Sequence, residues 1–245
     1  MKKRLDRLLV EKKQAPSREK AQAYIMAGKV IVDGLPVDKS GRMIDELSDV
    51  EVIGSDHEYV SRGGIKLRNA IDSFGIKTNE IVALDIGSST GGFTHCLLLG
   101  GAEKIFAVDV GYGQLAWALR QDPRVILIER TNFRYIEFDM IGEKVDLVVI
   151  DVSFISLKLI FPKTLQFIKP GGFLLALVKP QFEAGIDQVD KGGKVSDKEL
   201  QKNILENLRF SAQKLGLLFL GQIKSSILGK KSGNEEFFIW LQMPH

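Results

Sequence analysis

From about residue 81 onward, short apolar runs alternate with amphipathic helical segments, and this pattern constrains the fold more than any other feature. The runs are Ile81–Leu84, Ile105–Val108, Val125–Ile128, Val145–Ile150 and Phe173–Val178. Each is nearly continuously hydrophobic rather than alternating, as strands are when both faces of a parallel sheet are covered. Helices are predicted over Gly91–Leu99 and Leu115–Leu119, around Leu157–Ile168 and around Leu200–Leu215, with two late strands completing the pattern. An amphipathic helix carrying Ile65, Leu67, Ala70, Ile71 and Phe74 precedes them. The expected class is α/β, with a doubly wound, mostly parallel sheet. At 245 residues, 44% apolar and 27% charged, the chain can hold one such domain plus a small module.

The first 60 residues differ in character. Positions 1–30 hold nine cations (Lys2, Lys3, Arg4, Arg7, Lys12, Lys13, Arg18, Lys20 and Lys29) against three acids, a net +6. Positions 31–60 hold two cations against eight acids, a net −6. Such a switch suggests a small module with a basic and an acidic face. Leu5, Leu8 and Leu9 share one helical face, and Ser17 is placed to cap a second helix with Ala21, Tyr24 and Ile25 inward and Gly28 as its stop. Lys29–Val32 and Val50–Ile53 read as strands, with Asp33-Gly34 as a hairpin turn. Gly54-Ser55-Asp56 marks a boundary, giving an α+β module over 1–55, a linker over 56–60 and a larger domain over 61–245.

Composition narrows the classes. A single cysteine excludes a disulfide framework, and three histidines with it argue against a metal cage. The opening Met-Lys-Lys-Arg-Leu-Asp has no apolar core for a secretory signal, and no run reaches 18 uncharged apolar residues. A cytoplasmic protein is expected.

The richest segment is Ala83-Leu84-Asp85-Ile86-Gly87-Ser88-Ser89-Thr90-Gly91-Gly92-Phe93, where a buried strand turns into a helix. Open α/β sheets bind ligands at that crevice. The spacing fits neither Gly-x-Gly-x-x-Gly nor a P-loop, which disfavours a dinucleotide or a nucleoside triphosphate. A carboxylate at Asp85 would repel a pyrophosphate but suit a cationic ligand, and S-adenosylmethionine carries an ammonium and a sulfonium. Asp109 ends the next strand, 22 residues after Gly87, where it can accept both ribose hydroxyls. The candidate cofactor residues are Asp85, Gly87, Ser88, Ser89, Gly91, Gly92, Phe93 and Asp109. An ordinary turn with solvated acids is the alternative, set aside because both acids stand at strand ends beside the glycines.

The acceptor can be narrowed by elimination. Asp151-Val152-Ser153-Phe154 lacks the Asn/Asp-Pro-Pro-aromatic turn common in amino-group methyltransferases. Pyrimidine C5 methylation needs a cysteine nucleophile, and Cys96 lies within a helix and reads as core packing. A weakly acidic hydroxyl remains, and it needs a group to manage its proton. Lys179 ends the strand Leu174–Val178 and is followed by Pro180. Singly, Lys66, Asp151, Lys179 and Glu236 each read as surface charges; their value is joint, since three of them fall at predicted sheet or helix edges on the cofactor side.

Five motifs carry a resemblance. Ser61-Arg62-Gly63-Gly64-x-Lys66-Leu67, the glycine loop Leu84–Phe93, Asp151-Val152-Ser153-Phe154-Ile155-Ser156, Val178-Lys179-Pro180-Gln181-Phe182 and Gly233-Asn234-x-Glu236-Phe237-Phe238 resemble the TlyA family. That bacterial group, known as hemolysins and as ribosomal RNA ribose 2′-O-methyltransferases, is related to the FtsJ type. The resemblance spans essentially the whole chain. It implies a Rossmann-like class I methyltransferase sheet with a late antiparallel strand. It also implies an N-terminal module similar to the RNA-binding domain of ribosomal protein S-four, carried by Arg4-Leu5-Asp6, Ser17-Arg18, Gly28-Lys29-Val30 and Val32-Asp33-Gly34. The family's Lys-Asp-Lys-Glu tetrad falls on Lys66, Asp151, Lys179 and Glu236, with Glu235 as a rival for the last place.

The expected activity is S-adenosylmethionine-dependent 2′-O-methylation of ribosomal RNA, on free RNA or ribosomal subunits. Lys179 would handle the hydroxyl proton, Asp151 and Glu236 would tune the lysines, and Lys66 would position the ribose. The nine cations of positions 1–30, with Arg62, would hold RNA phosphates. The alternatives are a membrane-lytic hemolysin and a non-catalytic RNA-binding assembly factor, with a nicotinamide oxidoreductase behind them.

Overall fold

The computed structural model describes residues 2–12, 14–52, 59–229 and 233–245, without the side chains of Glu51 and Ile186. Lys13, Ile53 and the predicted boundary Gly54-Ser55-Asp56 lie outside the described residues. The chain forms two compact units, Met1–Glu58 and Tyr59–His245.

In the first unit β1 (Lys2–Arg4) leads into α1 (Leu5–Glu11), and α2 (Arg18–Met26) follows. Ser17 caps α2 by accepting the Lys20 N–H at 3.2 Å. β2 (Val30–Val32) pairs with β3 (Leu35–Pro36) across the Asp33-Gly34 turn and with β5 (Val50–Val52), while β1 pairs with β4 (Met43–Asp45). Leu5, Leu8, Leu9, Ile25, Val30 and Val50 form its core. The β1–β4 pair was not legible in the sequence, because three-residue strands leave no period to read.

Asp6 is fully buried at the start of α1, and its carboxylate accepts from Arg4 at 3.0 and 3.1 Å, Arg18 at 2.9 Å and Gln22 at 2.9 Å. The Arg4 hydrogen bonds foremost, then Gln22 and Arg18, hold its pKa well below the usual carboxylate range against the opposing effect of burial. A depressed folded pKa gives stability that is complete above the unfolded value near ~4 and lost as pH falls below it. Asp6→Asn should therefore lower the melting temperature at pH 7, and the gap to wild type should close below about pH 4. Circular dichroism melts across that range check this; a constant gap would mean Asp6 is neutral in the fold.

The second unit opens with α3 (Arg62–Phe74), then β6 (Val82–Ile86), α4 (Gly92–Leu99), β7 (Lys104–Val108), α5 (Trp117–Arg120) and β8 (Val125–Ile128). It continues through β9 (Val145–Ile150), α6 (Phe161–Thr164), β10 (Ile168–Val178), α7 (Pro180–Glu183), α8 (Lys198–Lys214), β11 (Leu218–Lys224) and β12 (Phe237–Gln242). The seven strands lie in the order β11-β12-β10-β9-β6-β7-β8. β12 runs antiparallel to both its neighbours, hydrogen-bonded along each edge, and the other pairings are parallel. The expected mostly parallel sheet with one late antiparallel strand is what forms.

Successive residues of each strand face opposite sides, so the continuous apolar runs supply two cores. Leu84, Ile86, Val148, Leu174 and Ala176 pack with Ile204, Leu205 and Leu208 of α8 on one face. Ala83, Val149, Leu175 and Leu177 pack with Leu67 and Ile71 of α3 and Phe93 and Leu97 of α4 on the other. Helices α3 and α4 approach backbone to backbone: a Cβ on Gly92 would lie 2.9 Å from Gly64 N and 3.1 Å from Gly63 Cα.

Two predicted helices need correction. Leu115–Leu119 shortens to α5. The helix expected around Leu157–Ile168 breaks into a 3-10 turn at Leu157–Leu159 and the single turn of α6, and Ile168 already begins β10. Leu157, Ile160, Phe161 and Ile168 have helical spacing yet are core residues spread over the 3-10 turn, α6 and β10. Among the described residues no helix is long and apolar enough to cross a membrane.

Candidate active site

All the strand-borne candidates gather at one edge of the sheet, and the register shows why. Val178 of β10 faces Phe237 of β12, so Lys179 and Glu236 stand one step beyond the last rung on adjacent strands. Ala176 faces Ile150 of β9, which puts Asp151 at the same edge, and Ile150 faces Ile86, which leads into the glycine loop.

Two lysine–carboxylate pairs result. Lys179 Nζ lies 2.6 Å from Asp151 Oδ1 and donates to Ser153 Oγ at 3.1 Å. Lys66, on the face of α3 toward the sheet, donates to Glu236 Oε2 at 2.6 Å, with only 11% of its side chain and 4% of the carboxylate exposed. The same face of α3 fastens the β11–β12 connection, with Arg62 donating to Leu228 O at 2.9 Å and Asn69 to Ser226 Oγ at 2.5 Å. Glu235, by contrast, turns outward to Lys198 and, at 2.7 Å, Lys224. Lys66, buried with a carboxylate partner, depends on that partner to offset desolvation.

Beside the pairs lies a cleft of about 480 Å³ lined by Gly87, Ser89, Asp109, Gln114, Thr131–Arg134 and Asp151–Ile155. Its apolar wall comes from Ile86, Val108, Val110, Phe133 and Ile160. Asp109 accepts the N–H groups of Ser89 and Gly111, both at 2.7 Å, which fixes its carboxylate at the strand end. Gly87, at φ +86°, presses on the next strand's exit: a Cβ there would lie 2.7 Å from the Asp151 carbonyl oxygen. Glycine at that point is what lets loop and strand end meet.

The structure divides the predicted cofactor residues. Gly87, Ser89 and Asp109 line the cleft. Asp85 does not: it is fully buried behind the loop, and its Oδ2 accepts the Thr94 hydroxyl at 2.6 Å. Burial pushes its carboxyl up to about 7, opposed by the Thr94 hydrogen bond and helped by the charges of Asp151 and Asp109. Ser88 and Phe93 are also buried, Gly91 packs against Leu115 and Leu119, and Gly92 meets α3. These four shape the loop from beneath.

Among the described residues, four basic side chains of the first unit are engaged within the chain as follows. Arg4 and Arg18 hold Asp6, Lys3 pairs with Glu11 at 2.6 Å, and Lys12 donates to Ser48 O at 2.8 Å. Lys2 and Arg7 are exposed, Lys20 lies over the Tyr24 ring, and Lys29 is half-buried. Thr131–Arg134 and Gln114 were missed in the sequence; their only signal was a position just past a strand end.

The FtsJ-like methyltransferase family model matches residues 59–243. An S4 domain model matches residues 3–50. The 16S/23S rRNA (cytidine-2′-O)-methyltransferase TlyA of Mycobacterium tuberculosis is 45% identical over 98% of this chain and 89% of its own. The chain belongs to the TlyA group of FtsJ-like methyltransferases. Hemolysin A of Brachyspira hyodysenteriae is 40% identical over 96% of this chain and 97% of its own. A solved structure from Streptococcus thermophilus superposes with a TM-score of 0.78 at 41% identity, covering 99% of this chain and 89% of that one. The N-methyltransferase NodS of Bradyrhizobium japonicum in complex with S-adenosyl-L-homocysteine shares the fold alone, with a TM-score of 0.54 and 12% identity over 76% of this chain and 90% of that one. The FtsJ-like portion contains both lysine–carboxylate pairs and the cleft.

Proposed function

We propose that this chain transfers a methyl group from S-adenosylmethionine to a ribose 2′-hydroxyl of ribosomal RNA. The observation that carries the reading is the pair of lysine–carboxylate contacts, Lys179–Asp151 and Lys66–Glu236, at the sheet edge that borders the cleft. The 45% identity to an rRNA cytidine-2′-O-methyltransferase over nearly the whole chain supports it.

The cleft fits S-adenosylmethionine in size and lining. Its volume falls within the range of small-molecule sites. A carboxylate at Asp109 suits ribose hydroxyls, the apolar wall suits an adenine ring, and two carboxylates, Asp109 and Asp151, against the single cation Arg134 suit a positively charged ligand. When bound, S-adenosylmethionine supplies an electrophilic methyl group. Lys179 first releases an ammonium proton to solvent and, as the free amine, takes the hydroxyl proton at its Nζ; Asp151 holds that nitrogen in place, and Glu236 holds Lys66 against the ribose. Alignment of the hydroxyl oxygen with the methyl group supplies much of the rate. Asp85 acts from behind, bracing α4 through Thr94.

Mapping ribose methylation in ribosomal RNA treated with and without the protein tests the reading; no new 2′-O-methyl group on free RNA or on subunits would sink it. Asp109→Ala should weaken S-adenosylmethionine binding by about 1.5–3 kcal/mol, the scale of charge-assisted hydrogen bonds. Unchanged affinity by calorimetry would remove Asp109 from the site.

We assign RNA capture to the first unit. Deleting residues 1–55 should weaken RNA binding and flatten its salt dependence while cofactor binding largely survives. Each lost phosphate contact lowers the log–log slope by roughly 0.7–0.9. Since Arg4, Arg18 and Lys3 have internal partners, the expected slope change is smaller than nine cations would give. An unchanged slope would place RNA capture elsewhere.

A further inference from the structure

The turn from Asp151 to Ser156 is gripped along its length by a single segment, Lys179–Glu183. At its start Lys179 meets Asp151 and Ser153. At its middle Phe154 packs on Phe182, ring centroids 4.9 Å apart. At its end the Glu183 carboxylate accepts the Ser156 hydroxyl at 2.6 Å and the Leu157 N–H at 2.8 Å.

That grip has something to hold. Phe154 has φ +63° and is 85% exposed, so a bulky side chain sits in the left-handed region with little of its own burial to keep it there. Such a conformation persists only where the surroundings over-determine it. The start of the turn is fixed by Asp151 N–H donating to Ile86 O at 2.9 Å and by the close approach of Gly87. Its end has Glu183. A simple helix-capping role does not account for this carboxylate. Ser156 already caps the 3-10 turn, accepting the Lys158 N–H at 3.2 Å, and Glu183 comes from the segment that carries Lys179.

We propose that Glu183 is a positioning residue for methyl transfer: by anchoring Ser156 and Leu157 it locks the Asp151–Ser156 turn, and so holds Asp151 against Lys179. The proposal deepens the 2′-O-methyltransferase reading and rests on it for its kinetic part. Glu183 touches neither reacting group; it acts through the turn. Burial pushes its carboxyl up, opposed by the hydrogen bonds from Ser156 and Leu157.

The test uses the full chain with Glu183→Ala, Glu183→Gln and Ser156→Ala. In Glu183→Ala, exchange of the hydrogen-bonded amides that bracket the turn, Asp151, Leu157 and Lys158, should accelerate about tenfold or more, as local opening energies fall, while β6 and α4 keep their protection. Single-turnover transfer at saturating RNA and S-adenosylmethionine should drop roughly 10–100-fold, the cost of sub-ångström to ångström misplacement, with the KM for each substrate within about threefold of wild type. Glu183→Gln keeps a carbonyl acceptor for the Leu157 N–H and should recover most of the rate. Combining Ser156→Ala with Glu183→Ala should add only the loss of the Ser156–Lys158 cap to Glu183→Ala, because the two variants share the Ser156–Glu183 link. Unchanged exchange in the turn overturns the proposal, whatever the activity. So does a wild-type rate in a variant whose turn has opened. If Glu183→Ala fails to fold, the exchange and KM-against-kcat readings are taken on Ser156→Ala, where no loosening and no rate loss would equally overturn it. A wild-type protein that methylates no RNA refutes the proposed function instead, and the exchange measurement still decides whether Glu183 holds the turn.

Discussion

Lys179→Arg is expected to leave RNA and S-adenosylmethionine binding near wild type and to slow methyl transfer by roughly 10²–10⁴-fold, the usual share of acid–base catalysis. Arginine keeps the positive charge that Asp151 and Ser153 receive in the native site. It stays protonated at any useful pH, so it cannot take a proton from the hydroxyl. Single-turnover assays with both substrates saturating isolate this step from product release. A variant that retains more than about a tenth of the wild-type rate would show that deprotonation by Lys179 is not required. Alignment of the reacting groups would then account for the chemistry.

Lys66→Met should cost about 3–5 kcal/mol of folding stability, because it strands a carboxylate where only 4% of that side chain reaches solvent. The pair itself need not be stabilising. Replacing both members, Lys66→Met with Glu236→Leu, should recover most of the loss, since an apolar pair of similar volume avoids desolvating two charges. Both variants should be inactive in methyl transfer, so stability and activity separate. Urea unfolding of the three proteins provides the comparison. If the single and double variants are equally unstable, packing rather than charge sets the value of the site.

The sheet was readable because its strands announce themselves: runs such as Leu147–Ile150 and Ile105–Val108 are apolar on every residue, as burial on both faces requires. The stretch 157–168 was not, since a short apolar run with helical spacing suits a folded-back core segment equally well. Pro162 sits at the first turn of α6, where it is tolerated, so it gave no warning of how short that helix is. In the candidate site, the family resemblance singled out Lys66, Asp151, Lys179 and Glu236, but the contact of Lys66 with Glu236 was not legible, because it joins positions 170 apart. Nor could the sequence divide the glycine loop. Gly87 and Ser89 face the cleft while Asp85, Gly91 and Gly92 pack behind it, a distinction set by which helices lean on the loop.

The antiparallel strand β12 has a consequence for how this chain can change. Six consecutive residues, Phe237–Gln242, are paired with β10 on one side and, around a single irregularity, with β11 on the other. A slip of one residue would turn Phe238, Ile239 and Leu241 to the wrong faces of the sheet. Glu236 is therefore indexed by the rungs that follow it and owes little to the length of the connection before it. Lengthening that connection adds only the slow logarithmic cost of closing a larger loop, about 0.6 kcal/mol per doubling. Residues can in this way be gained or lost between β11 and Gly233 while the carboxylate stays in register with Lys179.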